Sequence, residues 1–198
     1  MNLDFATEGA VDAIVARKLA QEAGFEAGTP YVCGGKNALD RRMRNYNQAA
    51  RYAPWLVLRD QNSARCPGAL AQQLVDNPAD FLCLRVVPRE IESWLMGDHQ
   101  KLAKFLSIKE SLIPRAPEEE HHPKQKMVAI ARRSTRKSVR DEMVPRPGSG
   151  IGIGPNYGGL LIEFAEMHWR ADHAARRCPA LATTRRRLCE LYARVAAV

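Results

Sequence analysis

The chain has 198 residues, 45% of them hydrophobic and 26% charged, with a formal net charge of +8. That length supports one substantial core with room for a small appendage, and the composition is ordinary for a globular protein. No apolar run approaches the roughly 20 residues needed to cross a bilayer, and Asp4 and Glu8 stand where a signal peptide needs a basic start and an apolar stretch, so neither is expected.

The first expected element is a strand, Leu3 to Ala6, running into Glu8-Gly9 and a helix from about Ala10 with Val11, Ile14, Val15 and Leu19 at helical spacing. Gly24 is placed to end that helix. Tyr31-Val-Cys33, closed by Gly34-Gly35, reads as a brief second strand, and residues 38–52 as a helix with Leu39, Met43, Tyr46 and Ala50 near one stripe. Residues 55–59 form a third strand, continuous enough to be buried on both faces as parallel strands are, with Asp60 at its end. Cys66-Pro67 opens a helix through Leu70 and Leu74, and Phe81 to Val87 is the fourth strand. This alternation with short connections predicts an α/β fold, a mainly parallel four-stranded sheet with right-handed crossovers flanked by helices.

Beyond the sheet, Glu90–Met96 and Gln100–Leu106 read as helices, and residues 112–123, with Pro114, Pro117 and Pro123, as a linker or surface loop. Residues 124–137, about 157–171 and 180–195 read as further helices, with a turn-rich loop over 145–155. The expectation is a single domain over 1–198: an α/β core over 1–111 and a helical basic extension over 112–198 packed on it. Residues 124–198 hold 15 Lys/Arg against 6 Asp/Glu, whereas residues 1–123 hold 15 against 16, so the whole basic surplus lies in the C-terminal part. A phosphate-rich partner such as nucleic acid fits that surplus, because cationic contacts to phosphate release counterions; a solvated basic face is the competing explanation. The candidate phosphate contacts are Lys36, Lys124, Arg132, Arg133, Arg136, Lys137 and Arg146.

Acids arrive separately at three strand ends: Glu8, Asp60, and Glu90 with Glu92. Open α/β sheets place ligands beyond the carboxyl ends of their strands. Magnesium, or manganese in its place, takes oxygen ligands, commonly one or two carboxylates with substrate phosphate and water. In phosphodiester cleavage such an ion neutralises developing charge and activates water. Glu8, Asp60 and Glu90 are therefore candidate catalytic groups, and Glu8, Asp60 and Glu92 candidate metal ligands. In a regular helix Glu90 and Glu92 do not share a face, so at most one is expected to point into the site unless the turn is irregular. Glu90 has a competing structural role as a carboxylate that complements a helix dipole.

Other chemistries are poorly served. Five cysteines without a Cys-x-x-Cys pair give neither a disulfide framework nor a zinc cage, and suit a reducing cytoplasm. Gly148–Gly154 lacks the Lys-Ser/Thr ending of a P-loop, and no Gly-x-Ser-x-Gly elbow is present. His121-His122 reads as part of a polar loop.

The combination of Thr7-Glu8-Gly9, Gly35-Lys36, Leu58-Arg-Asp60, Arg89-Glu-Ile-Glu-Ser-Trp-Leu95 and Pro123-Lys124, extended by Gly154-Pro-Asn-Tyr157, Ile162-Glu-Phe164 and Trp169, resembles an uncharacterised bacterial toprim-like family. Its members are small proteins often described beside an ATPase partner in anti-phage defence loci. The resemblance runs over residues 5–190 and implies a toprim fold, with a Glu after strand one and an Asp-x-Asp after strand three that bind magnesium and handle phosphodiester bonds. The chain departs from that pattern at Asp60-Gln61-Asn62, where the second acid is an amide. Asn62 can still offer a carbonyl oxygen to a metal, with one negative charge fewer, and Glu90 or Glu92 could compensate. Two functions follow as expectations. One is a magnesium-dependent phosphodiesterase, a nuclease on DNA or RNA with an ATPase partner; the other is a non-catalytic module of the same fold that binds nucleic acid or a partner protein. A phosphohydrolase acting on a small nucleotide also fits the acids but leaves the basic surplus unexplained.

Overall fold

Four short strands build one sheet: β1 (Asn2–Thr7), β2 (Glu26–Val32), β3 (Trp55–Asp60) and β4 (Leu82–Val87). They lie in the order β2-β1-β3-β4, and every neighbouring pair is parallel. The connecting helices are α1 (Ala10–Glu22), α2 (Lys36–Ala49) and α3 (Pro67–Leu74). After β4 the chain is helical: α4 (Glu92–Gly97), α5 (His99–Leu106), α6 (Pro123–Ala131), α7 (Lys137–Met143), α8 (Tyr157–Met167), α9 (Ala171–Ala174) and α10 (Pro179–Ala196). The expected α/β class, parallel sheet and helical C-terminal segment are thus what the chain forms. The structure is a computed structural model that describes residues 1–62 and 66–197. The chain divides into two compact units, residues 1–88 with the segment from Ala180 onward, and residues 89–179.

In the first unit β1 and β3 are central, and their residues are buried on both faces. On one face Leu39, Met43 and Tyr46 of α2 pack over Ala6, Trp55 and Val57, with the Tyr46 and Trp55 rings 5.1 Å apart. The opposite parity, Leu3, Phe5, Leu56 and Leu58, is buried as completely. Each such side chain removed from water stabilises the fold by ~1.5–3 kcal/mol before entropy is counted. α10 belongs to this unit: its Tyr192 ring meets Phe25 edge-on at 5.0 Å, and its Arg185 pairs with Glu22 at 3.0 Å.

β2 differs from expectation. It begins at Glu26 and not at Tyr31, and it ends at Val32. As a sheet edge it is mostly exposed, so no apolar run marks it, and an edge strand tolerates Pro30, which cannot donate to a ladder.

The second unit is all helical. Trp94 and Trp169 are its largest fully buried side chains. The Trp169 indole donates to the Trp94 carbonyl at 3.0 Å, and the Trp94 indole to Glu118 at 2.9 Å. Gly97 is required by close packing: a Cβ there would lie 2.8 Å from the Ala174 carbonyl oxygen and 2.7 Å from Cys178 Sγ.

Two expected helices are each broken in this unit. The segment expected as one helix over 124–137 stops at Ala131, and α7 starts at Lys137. The break carries no Gly or Pro; hydroxyl side chains satisfy the backbone instead. Ser134 Oγ donates to the Leu106 carbonyl and accepts the Arg136 N–H, and Thr135 Oγ1 donates to the Ser107 carbonyl. The helix expected over about 157–171 ends at Met167, where the chain turns and Trp169 enters the core. Residues 112–123 are an irregular connection holding a 3-10 turn at Pro117–Glu119, with a second at Glu110–Leu112.

Candidate functional site

The strand order reverses between β1 and β3: the chain leaves β1 towards β2 and leaves β3 towards β4. Such a switch point opens a crevice beyond the carboxyl ends of the two strands, where doubly wound sheets bind ligands. Glu8 follows the last residue of β1, and Asp60 is the last residue of β3. Glu8 Oε1 accepts the Asp60 backbone N–H at 3.0 Å. The Glu8 carbonyl accepts both the Gly34 and Gly35 N–H groups, each at 3.0 Å. Those two glycines have φ of 74° and 128°, a left-handed turn that brings the start of α2 onto the crevice.

Arg59 organises the rest. It is buried within β3, with its guanidinium clamped by two acids. Its Nε donates to Asp40 Oδ1 at 2.8 Å and its Nη2 to Asp40 Oδ2 at 3.0 Å, a two-pronged fork onto α2. Its Nη1 lies 3.3 Å from Glu8 Oε1 and donates to the Asp60 carbonyl. Burial raises the proton affinity of Glu8 above the ordinary carboxylate range, against the opposing pull of Arg59, the Asp60 N–H and Lys36. Lys36 itself is exposed, the first residue of α2. Asn62 adopts φ of 51°, and its Nδ2 donates to the Asp60 carbonyl at 3.2 Å.

The first unit therefore brings the Glu8 carboxylate and the Asn62 amide onto the Asp60 main chain at the end of β3, with Lys36 close enough for its charge to act on Glu8. The sequence reading missed Arg59 and Asp40. A lone arginine in an apolar strand was the available signal, since a charge there needs a buried partner.

Glu90, Glu92 and Lys124 belong to the second unit and meet there. Arg89 has φ of 58°, an irregular step before α4, and both carboxylates reach one cation. Lys124 Nζ lies 3.6 Å from Glu90 Oε1 and 3.9 Å from Glu92 Oε1. Glu90 Oε2 also accepts the Lys124 backbone N–H at 3.0 Å, so it covers the opening turn of α6. Glu92 is 3% exposed and accepts the Tyr157 hydroxyl proton at 3.0 Å. Burial raises its proton affinity, with Lys124 opposing and Glu90 reinforcing; burial likewise drives the Tyr157 hydroxyl up, followed by the Glu92 charge. Lys124 thus serves as a counter-charge to two acids.

The remaining cationic candidates, Arg132, Arg133, Arg136, Lys137 and Arg146, are all exposed. Arg136 Nη1 donates to the Phe105 carbonyl at 3.2 Å. It lines a groove of about 270 Å³ with Lys101, Lys104, Phe105, Glu163 and His168. Among the described residues no three His, Cys, Asp or Glu side chains stand close enough to hold a metal together, and no helix is long and apolar enough to cross a membrane. No family model matches the chain, and no curated protein or solved structure does so.

Proposed function

We propose that the protein is a toprim-like, magnesium-dependent phosphodiesterase, a nuclease on DNA or RNA, with its chemistry at the crevice of Glu8 and Asp60. The observation that supports this reading is the arrival of the Glu8 carboxylate, 52 residues away in sequence, on the Asp60 backbone N–H at 3.0 Å, at the switch point of the sheet. Two carboxylates suit one magnesium ion that completes its shell with water and substrate phosphate. The set does not suit a two-ion cluster, since no third acid joins it among the described residues.

A bound ion would supply charge neutralisation and an acidified water. Glu8 and Asp60 would hold it, with the Asn62 carbonyl oxygen as a weaker donor. Glu8 Oε1 carries the contacts to Asp60 N–H and Arg59, and burial raises the proton affinity of Glu8, the direction that suits a group exchanging a proton with substrate or water. Lys36 and the opening turn of α2 favour a phosphate at the rim, through charge and helix dipole. The exposed cations of the second unit would follow the phosphate backbone. An ATPase partner, a cytoplasmic location and a role in phage defence belong to the same proposal and rest on the resemblance and the reduced thiols.

The non-catalytic module is the second reading. It is favoured by the Arg59 guanidinium on Glu8 Oε1, which an ion would have to rival. Nuclease assays with magnesium or manganese separate the two, run on wild type, Glu8→Gln and Asp60→Asn. Loss of about 10²–10⁴-fold in both variants is expected of an enzyme. Salt-sensitive DNA binding that survives both substitutions, with no cleavage by wild type, establishes the module. Asn62→Asp restores the missing charge and should raise activity and metal affinity together.

A further inference from the structure

The first unit holds a second, chemically different cavity of about 430 Å³, walled by α3 and the segment after it, β4 and α10. Val75, Leu84 and Leu191 give it apolar walls, and Arg85, Arg187 and Arg194 line it with three guanidinium groups. Asp76 and Asp80 also line it, but from the segment that precedes β4, whereas Arg85 is the fourth residue of that strand.

Arg85 is held in an unusual setting. Its Nε donates to Thr184 Oγ1 at 3.1 Å, and that hydroxyl is itself buried and donates to the Ala180 carbonyl at 2.9 Å. The guanidinium is thereby fixed through Nε, which leaves the two-pronged Nη1/Nη2 end towards other partners. Among the described residues no carboxylate pairs with it. Cys83, two residues earlier on the same side of the strand, is buried, and burial pushes its thiol up to about 11, so it brings no negative charge. Burial also lowers the proton affinity of Arg85, and the charges of Arg187 and Arg186 lower it further. Arg187 and Arg194 have their own contacts, to Glu190 at 3.0 Å and to the Asp80 carbonyl at 2.7 Å. A half-buried cation among like charges is a standing cost that a multiply charged anion would offset.

The strand edge adds directional groups. Trp55 N–H bonds the Phe81 carbonyl and Gln61 N–H the Val87 carbonyl, so the odd residues of β4 turn their main chain to β3. Period-two alternation then turns the Leu84 N–H and C=O to the outer edge, along the cavity.

We propose that this cavity binds a small organic phosphate, with the phosphate on the Arg85 fork beside Arg187 and a flat apolar body between Val75, Leu84 and Leu191. A planar guanidinium fork matches phosphate oxygens two at a time. The lining sets apolar walls beside charged groups, which suits a small molecule with an apolar body and an anionic end. The site is separate from the Glu8 crevice and does not depend on the function assigned to it.

Calorimetric titration in EDTA tests this, with phenyl phosphate, inorganic phosphate and benzoate as probes. Phenyl phosphate should bind at least about tenfold more tightly than either of the other two. Arg85→Gln should weaken it at least tenfold, and Arg41→Gln, an exposed arginine of α2 away from the cavity, should leave it unchanged. No binding of phenyl phosphate, equal affinity for inorganic phosphate, or an equal loss in both variants would overturn the proposal. Thr184→Val guards against misfolding of Arg85→Gln, because it keeps the charge and removes the Nε anchor together with one bond inside α10. A several-fold loss is expected in that variant, and unchanged affinity there refutes the site.

Discussion

Glu8 and Glu92 are both secluded carboxylates, both raised in proton affinity first by burial, and both beside a cation. Their surroundings nevertheless assign them different work. Glu8 stands where two strand ends open a crevice, and its side chain keeps 15% of its surface exposed. Glu92 lies inside a helical unit with 4% of its side-chain surface exposed, facing a buried tyrosine. A buried acid is informative only together with what it faces: an opening and a directed guanidinium in one case, a closed hydrogen bond in the other.

Substitutions of the partners break this comparison most sharply. Arg59→Met leaves Glu8 and Asp40 without their shared cation and should cost about 3 kcal/mol, the low end for a broken buried pair because both acids retain some exposure. It should also enlarge the thermal shift produced by magnesium, since the rival cation is gone; an unchanged or smaller shift counts against a metal at Glu8. Tyr157→Phe removes the donor to Glu92 and should cost ~1.5–3 kcal/mol in urea unfolding, with no change in the response to magnesium.

Acidity provides a gentler comparison. Both acids bind a proton more readily folded than unfolded, so each makes stability fall as pH rises from the ordinary carboxylate value through its raised folded value. Urea midpoints measured at pH 5 and pH 8 should differ less in Glu92→Gln than in wild type, and likewise in Glu8→Gln. Only the Glu8 variant should also lose the magnesium shift. Asp98 works in the opposite sense. Burial would raise it, but hydrogen bonds from Arg170, one of 2.7 Å, outweigh that and hold its proton affinity below the usual value of 3.8. Its stabilisation is therefore present above that value and lost as pH falls through the lower folded one. The smallest expected effect is on DNA affinity: Arg132→Ala with Arg133→Ala should flatten the slope of log affinity against log salt by about 2, and an unchanged slope removes this face from the interface.

The parallel sheet was legible because β3 and β4 are nearly continuous apolar runs punctuated by turns, and Leu3, Phe5 and Ala6 mark β1 before its helix. β2 was only partly legible, since an exposed edge strand needs no hydrophobic signal. The break between α6 and α7 was hidden, because Ser134 and Thr135 act through bonds to Leu106 and Ser107, far away in sequence. Among the acids, the approach of Glu8 to Asp60 could be anticipated from strand-end positions. The helix-terminus role of Glu90 was legible in kind, whereas the partner of Glu92 was not, because Tyr157 lies 65 residues away in sequence.

The sheet-bearing unit is assembled from two segments far apart in sequence, residues 1–88 and the segment from Ala180 onward. During synthesis, then, four strands emerge long before the helix that supplies Thr184, Leu188 and Tyr192. Until some ninety intervening residues have been made, Phe25 lacks its aromatic neighbour and Arg85 its hydroxyl anchor. Closing so wide a loop is entropically slow. A nascent chain released early would thus carry an unfinished sheet, which ties the maturation of this unit to arrival of its final helix.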